Sequence, residues 1–193
     1  MAALGLTYLP GATPLDASEA EGLIPGHIST QGELDWWEKE NVSKGLAWAR
    51  RSRGDLFTED FCRELHRRMF GETWDWAGEF RRSDKNIGSA WGRIGVDLRE
   101  ALDTARYWCE NKVFSPRETA ARFHHRLVLV HPFPNGNGRH SRAMADALCA
   151  RMGGDPIDWG PVGKAGNVRD DYIRAMRAAD TGDFGPLLAF VRA

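Results

Sequence analysis

Apolar residues recur at the three- and four-residue spacing of amphipathic helices along most of this chain. The clearest series are Leu34, Trp37 and Trp48; Phe61, Leu65 and Met69; Leu98, Leu102, Ala105 and Cys109; Ala120, Phe123, Leu127 and Val130; Met144, Leu148 and Met152; and Tyr172, Ile173 and Met176. Each series predicts one helix with a buried face. The pattern therefore indicates a mainly α-helical fold.

Local capping signals predict where several of these helices begin and end. Three pairs have the spacing of a capping box, in which the N-cap side chain and a glutamate three residues later satisfy backbone N–H groups; they are Thr30 with Glu33, Asp97 with Glu100, and Ser115 with Glu118. Pro116 stands at the first helical position, which favours proline. Another helix is predicted from Thr58 to a stop at Gly71, and one more from Asn167.

Between Trp74 and Val96 the helical spacing gives way to aromatic and apolar residues scattered among glycines. This spacing favours a small β-hairpin or a loop, which we place at about residues 79–96. A turn between helices with buried tryptophans is the alternative. With 193 residues, 42% of them hydrophobic, the chain can bury one substantial core. We therefore predict one domain over residues 16–193, after an irregular lead-in at residues 1–15.

Charge and composition argue against several classes of protein. The formal net charge is −1, and the longest basic run, residues 50–53, is short, so we expect no nucleic-acid binding. No apolar run approaches the ~20 residues that span a bilayer. A basic-then-apolar leader is also absent, so we expect a cytoplasmic protein without membrane association. The histidines lack the spacing of zinc ligands, and we expect no zinc.

The richest chemistry lies in residues 131–142, which read His-Pro-Phe-Pro-Asn-Gly-Asn-Gly-Arg-His-Ser-Arg. Pro132 disfavours helix at His131, so the preceding helix should end near Val130 and present the imidazole at its end. Two glycines then allow backbone N–H groups to form an anion-binding nest at the next helix start; these are Gly136 and Gly138. A phosphate held beside a proton acceptor is the chemistry that this arrangement suggests.

Two arginines strengthen that interpretation. Arg139 and Arg142 are three residues apart on the predicted helix, so they share one face and can reach phosphate oxygens. Glycine-rich helix starts are also common in ordinary turns. The combination of a histidine, two glycines and two arginines is what distinguishes this segment.

Residues 131–142 resemble the signature of Fic (Fic/Doc) proteins, H-x-F-x-(D/E)-G-N-G-R-x-x-R. Every defined position matches except the acidic one, which is Asn135. Residues 11–16 and 82–88 further resemble a Fic branch called mobile mystery protein B. The resemblance implies a Fic-like helical bundle with a β-hairpin flap, and the transfer of AMP from ATP to a hydroxyl side chain of a target protein. The branch further implies a toxin-like role and an antitoxin-like helix-turn-helix partner.

The resemblance also implies a role for each residue of the motif. His131 would be the catalytic base that takes the proton of the target hydroxyl. Phe133 would anchor the loop by burying its ring. The nucleotide phosphates would be held by Gly136, Asn137, Gly138, Arg139 and Arg142, with Asn137 steadying either the loop or a phosphate oxygen.

Asn135 replaces the family's acidic ligand of Mg²⁺ and removes one negative charge. Mg²⁺ usually relies on one or two carboxylates besides the nucleotide phosphates, so we expect it to be weakly held and transfer to be slow. A carboxylate from elsewhere could supply the charge. Alternatively, the protein could be a catalytically degenerate nucleotide-binding module. A Doc-like protein kinase is a third possibility, although Gly138 favours nucleotidyl transfer because Doc lacks that glycine.

Two further groups of residues are implied by the resemblance. Residues 17–22 imperfectly match an inhibitory motif, S/T-x-x-x-E-G/N, which would place Glu21 against Arg142; the alternative is an exposed glutamate. In Fic proteins the flap pairs with the backbone of the target. Lys85, Asn86 and Ile87 are the candidates for that contact, and Lys85 is also a candidate for contact with the nucleotide.

Overall fold

The computed structural model describes residues 13–191, and within this range the chain folds into eight α-helices. In chain order they are α1 (Ala17–Ala20), α2 (Gln31–Arg51), α3 (Glu59–Phe70), α4 (Ile94–Glu110), α5 (Pro116–Val130), α6 (Asn137–Arg151), α7 (Asn167–Asp180) and α8 (Gly185–Phe190). A 3-10 helix, Trp91–Arg93, precedes α4. The mainly α-helical prediction is confirmed. Of the predicted lead-in, residues 1–12 lie outside the described residues.

Most of the predicted helix boundaries follow from caps that the structure contains. Thr30 and Glu33 form a capping box on α2, and the Thr58 and Ser115 side chains accept N–H groups at the starts of α3 and α5. The predicted start at Asp97 is wrong, because the 3-10 helix runs directly into α4 at Ile94. Asp97 lies one turn inside α4.

The helix α6 lies at the centre of the domain. Its small and apolar side chains, including Ala143, Met144, Ala145 and Leu148, are buried on several faces, so neighbouring helices can cover it on more than one side. α5 packs along α6, and α2 packs along α3. The C-terminal end of α5 and the N-terminal end of α6 are joined by a short loop, residues 131–136, which is the first half of the sequence motif and which we call the motif loop. Among the described residues, no helix is long and apolar enough to cross a membrane.

Residues 79–96 form a loop up to residue 90, then the 3-10 helix and the first residues of α4, so the predicted β-hairpin is not present. Among the described residues, no backbone-to-backbone hydrogen bond joins the two sides of this loop. Instead, the N–H groups of Arg81 and Ser89 donate to the carbonyls of Pro132 and Val130, at 3.0 and 3.2 Å. The loop is thereby fixed against the motif by hydrogen bonds that a hairpin would have used internally.

Candidate active site

The end of α5 holds His131 in an unusual backbone conformation. The helix ends at Val130, as predicted, and His131 is left-handed, with φ 50° and ψ 59°. Such a conformation costs energy for a residue other than glycine, so its surroundings must hold it. The His131 N–H donates to the Leu127 carbonyl at 3.0 Å, and the His131 carbonyl accepts from Arg81 Nε at 2.7 Å. The imidazole is therefore presented by a fixed backbone.

The imidazole of His131 is shielded from water, with only 6% of the residue exposed. Burial lowers its pKa to about 4, the Arg81 and Lys85 charges act in the same direction, and the Val128 backbone opposes them. The ring is therefore neutral at pH 7 and can accept a proton. Its Nε2 atom lies 3.1 Å from the hydroxyl oxygen of Thr13, a residue from the start of the described chain.

Neutral side chains fix the loop between α5 and α6. Phe133 is fully buried and stacks on His66, with ring centroids 3.8 Å apart. Asn137 Oδ1 accepts the Phe133 N–H at 2.9 Å, and Asn137 Nδ2 donates to the Phe133 carbonyl at 2.7 Å. The amide of Asn137 is thus used to hold the loop, which leaves its backbone N–H for a phosphate.

His66 supports the same loop from α3. Its Nδ1 accepts the Gly78 N–H at 3.0 Å, so Nε2 carries the ring proton and donates it to the Asn135 carbonyl at 3.0 Å. Burial holds the pKa of His66 well below 6.5, and the neighbouring His140 adds to this effect. The neutral ring therefore links the segment at Gly78 to the loop at Asn135 by hydrogen bonds.

The start of α6 leaves several backbone donors without a partner in the helix. Gly136 is the N-cap, in the left-handed conformation with φ 76°, and no side chain caps the helix. The first N–H to bond within the helix is that of His140, to the Gly136 carbonyl at 2.9 Å. The N–H groups of Asn137, Gly138 and Arg139 precede it and can bind an anion. A Cβ at Gly136 would lie 2.5 Å from the Phe70 ring, so this position requires glycine.

Arg139 lies at this helix start and makes an ion pair with a residue that the motif does not include. Its Nη1 contacts Glu38 Oε2 at 2.5 Å, and its guanidinium stacks on Phe70, 4.7 Å from the ring centroid. Glu38 comes from α2, is 8% exposed, and also accepts from Trp74 Nε1 at 2.7 Å. A phosphate that binds Arg139 must therefore compete with a buried carboxylate.

Arg142 lies one turn further along α6. Burial lowers the pKa of its guanidinium and the charge of Arg139 acts in the same direction, while the Tyr172 side chain of α7 opposes both. The two arginines are thus close enough to repel each other. This agrees with the predicted shared face, and such a pair of like charges favours an anion between or beside them.

A buried neutral base, an uncapped helix start and two arginines therefore meet at one loop. The sequence model of the Fic/DOC family matches residues 56–149, which include His131, the loop and nearly all of α6. This chain carries a Fic/DOC family domain.

Relatives of this Fic domain are named "Protein adenylyltransferase Fic". The protein from Aedes aegypti is 32% identical over 144 residues, which make up 72% of this chain and 28% of that protein. The protein from Nematostella vectensis is 30% identical over 143 residues, which make up 72% of this chain and 32% of that protein. This chain therefore matches only about a third of the length of these relatives.

Solved Fic structures have the same fold. A BepC protein from Bartonella tribocorum with bound AMPPNP superposes with a TM-score of 0.69 at 20% identity, covering 91% of this chain and 96% of that one. Fic-1 from C. elegans superposes with a TM-score of 0.63 at 26% identity, covering 90% of this chain and 51% of that one. The helical arrangement is thus that of other Fic domains.

Within the Fic domain, the structure brings most of the predicted site residues together around the loop. His131, Gly136, Gly138, Arg139 and Arg142 border one region, as the motif implied. Asn135 is also there, but its Oδ1 accepts the Gly136 N–H at 2.6 Å and its Nδ2 donates to the Thr13 carbonyl at 3.3 Å. Its amide is therefore already engaged within the protein.

The structure does not place Glu21 and Lys85 as predicted. Glu21 is exposed at the C-terminal end of α1, and no ion pair joins it to Arg142 within residues 13–191. The side chain of Lys85 is buried against Asp16 and Glu19, at 2.9 and 2.6 Å, rather than facing a nucleotide. Two carboxylates of the chain itself neutralise this lysine. Asn86 and Ile87 are exposed on the same loop, as a target contact requires.

Thr13, Glu38 and Arg81 contact the motif but were not identified from the sequence. Each reaches the motif from a distant part of the chain, and none belongs to a local pattern. Arg81 is buried and donates to carbonyls of His131 and Ser83 at 2.7 Å, and to that of Ser89. An arginine amid turn residues gives no sign that its charge will be buried.

Proposed function

We propose that this Fic domain transfers a nucleoside monophosphate, AMP from ATP, to a hydroxyl side chain of a target protein. The observation that carries the proposal is the neutral His131 imidazole, whose Nε2 atom already faces a hydroxyl at 3.1 Å beside the uncapped start of α6. The names of the relatives, protein adenylyltransferases, and a related fold with bound AMPPNP support this choice of nucleotide.

In the proposed reaction, the target hydroxyl oxygen bonds to the α-phosphorus while His131 Nε2 takes its proton. The bond from the α-phosphorus to the oxygen bridging the β-phosphorus breaks, and pyrophosphate leaves. The N–H groups at the start of α6 and the two arginines stabilise the charge on the phosphates. Arg139 exchanges Glu38 for a phosphate oxygen when the nucleotide binds.

The residues around Asn135 fit Mg²⁺ poorly. Asn135 carries no charge, and its Oδ1 already accepts the N–H of Gly136. Within the described part of the chain, no group of three or more His, Cys, Asp and Glu side chains is arranged to hold a metal ion. A divalent cation that accompanies ATP would therefore be held mainly by the phosphates. No step of the proposed reaction is assigned to it.

A nucleotide-binding module without transfer is the second candidate, favoured by the neutral Asn135 and by the ion pair that engages Arg139. ATP labelled at the α-phosphate separates the two. Lysate proteins should acquire label from the parent protein and none from His131→Ala. Calorimetric binding of ATP without transfer would instead identify the module.

Transfer of a γ-phosphate label would identify a kinase, the third possibility. The same lysate experiment therefore uses ATP labelled at the α-phosphate in one reaction and at the γ-phosphate in another. We expect only the α-label to become covalently attached. The target protein and the helix-turn-helix partner remain predictions, and mass spectrometry of the labelled proteins would identify the former.

A further inference from the structure

The hydroxyl group nearest to the base belongs to the chain itself. Thr13 is 8% exposed, and its Oγ1 lies 3.1 Å from His131 Nε2. Its carbonyl accepts from Asn135 Nδ2 at 3.3 Å, so its backbone is tied to the motif loop as well. Thr13 also precedes Pro14, which restricts its backbone to extended conformations. These restraints hold the Thr13 hydroxyl next to His131 Nε2.

The residues that follow Thr13 are fastened to the loop at residues 79–96. Asp16 Oδ2 accepts from Ser83 Oγ at 2.5 Å and from Lys85 Nζ at 2.9 Å. Glu19 Oε2 pairs with Lys85 at 2.6 Å, and the Glu19 carbonyl accepts from Trp76 Nε1 at 2.8 Å. The loop that was predicted to hold a target protein therefore holds residues 13–19 of this chain, which we call the N-terminal strap.

We propose that Thr13 is an acceptor of the nucleotide in cis, so that this Fic domain modifies itself on the N-terminal strap. The inference rests on the proposed function, because it uses the same base and the same donor. The Thr13 hydroxyl loses its proton to His131 Nε2, and its oxygen forms a bond to the α-phosphorus of ATP. The bond to the bridging oxygen of the β-phosphate breaks, which yields AMP-threonine and pyrophosphate.

The surroundings of the hydroxyl favour an acceptor over a merely structural threonine. Buried threonine hydroxyls are usually satisfied by backbone groups, as Thr119 is here by the Ser115 carbonyl at 2.9 Å. Thr13 instead meets a neutral imidazole next to a helix start with free N–H groups. Since each chain has one Thr13 and the product remains attached to it, we expect at most one nucleotide per chain at this site.

The test uses the purified protein, ATP labelled at the α-phosphate, and peptide mapping by mass spectrometry. In the parent protein and in Thr13→Ser, which keeps a hydroxyl, we expect AMP on the peptide that contains residue 13. In Thr13→Val, which has the same shape without the hydroxyl, that label should fall at least tenfold. Ser18→Ala removes an exposed hydroxyl from the same strap and should leave the label unchanged.

Intramolecular transfer gives a second readout. The labelling rate per chain should stay constant on tenfold dilution, and a tagged His131→Ala chain should remain unlabelled when it is mixed with the parent. Calorimetric binding of ATP to Thr13→Val would show that this variant keeps its fold and its nucleotide site.

The outcomes separate this inference from the proposed function. Two outcomes would refute self-modification and show that Thr13 only covers the site. In the first, the parent labels lysate proteins but not residue 13. In the second, Thr13→Val labels lysate proteins more strongly while the parent carries no AMP. If the parent labels neither itself nor lysate proteins, both proposals fail. Label on tagged His131→Ala would refute transfer in cis.

Discussion

The motif loop and the N-terminal strap both contact the surroundings of His131, but different interactions hold them. The loop is fixed by neutral, buried groups: Phe133 stacks on His66, and the Asn137 amide bonds both backbone groups of Phe133. The strap is fixed largely by charge, through Lys85 with Asp16 and Glu19. The loop is therefore held rigidly whatever the ionic strength, whereas the strap can be released by a change that weakens ion pairs.

Acid should lower the free energy of unfolding through the buried neutral histidines around the motif loop. This is the largest effect that we expect. Burial lowers the pKa of His131 and His140 from 6.5 to about 4, and it holds those of His66 and His124 well below 6.5. Below pH 6.5 the unfolded chain binds protons at rings that stay neutral in the folded chain. The stabilisation is therefore complete above pH 6.5 and is lost as the pH falls toward 4, on the order of 3 kcal/mol each for His131 and His140.

Urea unfolding between pH 7.5 and 4.5 measures this loss. His140→Gln keeps a donor for the Cys62 carbonyl, which His140 Nε2 contacts at 2.9 Å, and should flatten the pH dependence. His27→Gln, at an exposed histidine, is the matched control and should not change it. A free energy of unfolding that is constant from pH 6.5 to 4.5 would contradict the assignment of neutral buried rings.

The buried guanidinium of Arg81 links the loop at residues 79–96 to the motif. Arg81→Met should destabilise the protein by about 3–5 kcal/mol, because carbonyls of His131, Ser83 and Ser89 lose a buried charged donor. The melting temperature should fall by about 2–4 °C per kcal/mol. Arg82→Met is the control, since the neighbouring Arg82 is exposed. Equal melting temperatures for the two variants would show that the buried guanidinium is dispensable.

A variant of Glu38 tests whether its ion pair with Arg139 hinders or helps the binding of ATP. Glu38→Gln should retain an acceptor for Trp74 while it releases Arg139 from its ion pair. We expect ATP to bind about tenfold more tightly, which corresponds to about 1.4 kcal/mol. Calorimetry measures the change, with Glu40→Gln, an exposed position on α2, as the control. Weaker binding in Glu38→Gln would mean that Glu38 orients Arg139 for the phosphate instead of competing with it.

Lys85→Met should give the smallest change in stability and should act on the strap alone. We expect a loss of about 1 kcal/mol and faster hydrogen exchange at the amides of residues 16–21, because Asp16 and Glu19 lose their common partner. Exchange at residues 133–137 should be unchanged. Lys44→Met, which breaks an exposed pair with Glu72, is the control. Equal hydrogen-exchange protection of the strap in parent and variant would show that contacts other than those of Lys85 hold it.

The sequence predicted the parts of this fold that depend on neighbours along the chain. Thr30, Thr58 and Ser115 cap the helices that they were expected to cap, and α5 ends at Val130 before the proline. The sequence did not distinguish a β-hairpin from a loop at residues 79–96, and the structure has a loop there. Scattered glycines and aromatics suit a hairpin as well as a loop, and the choice was made by hydrogen bonds to Pro132 and Val130.

By itself, therefore, the sequence determined the helices, the turn at His131 and the glycines at the start of α6, because caps, proline and glycine act over a few residues. It also supplied the motif by which the Fic domain is recognised. Only the tertiary structure decided that Glu38 pairs with Arg139, 101 residues away, and that Thr13 faces His131, 118 residues away. Packing of distant segments creates such contacts, and no local pattern encodes which polar side chain will meet which.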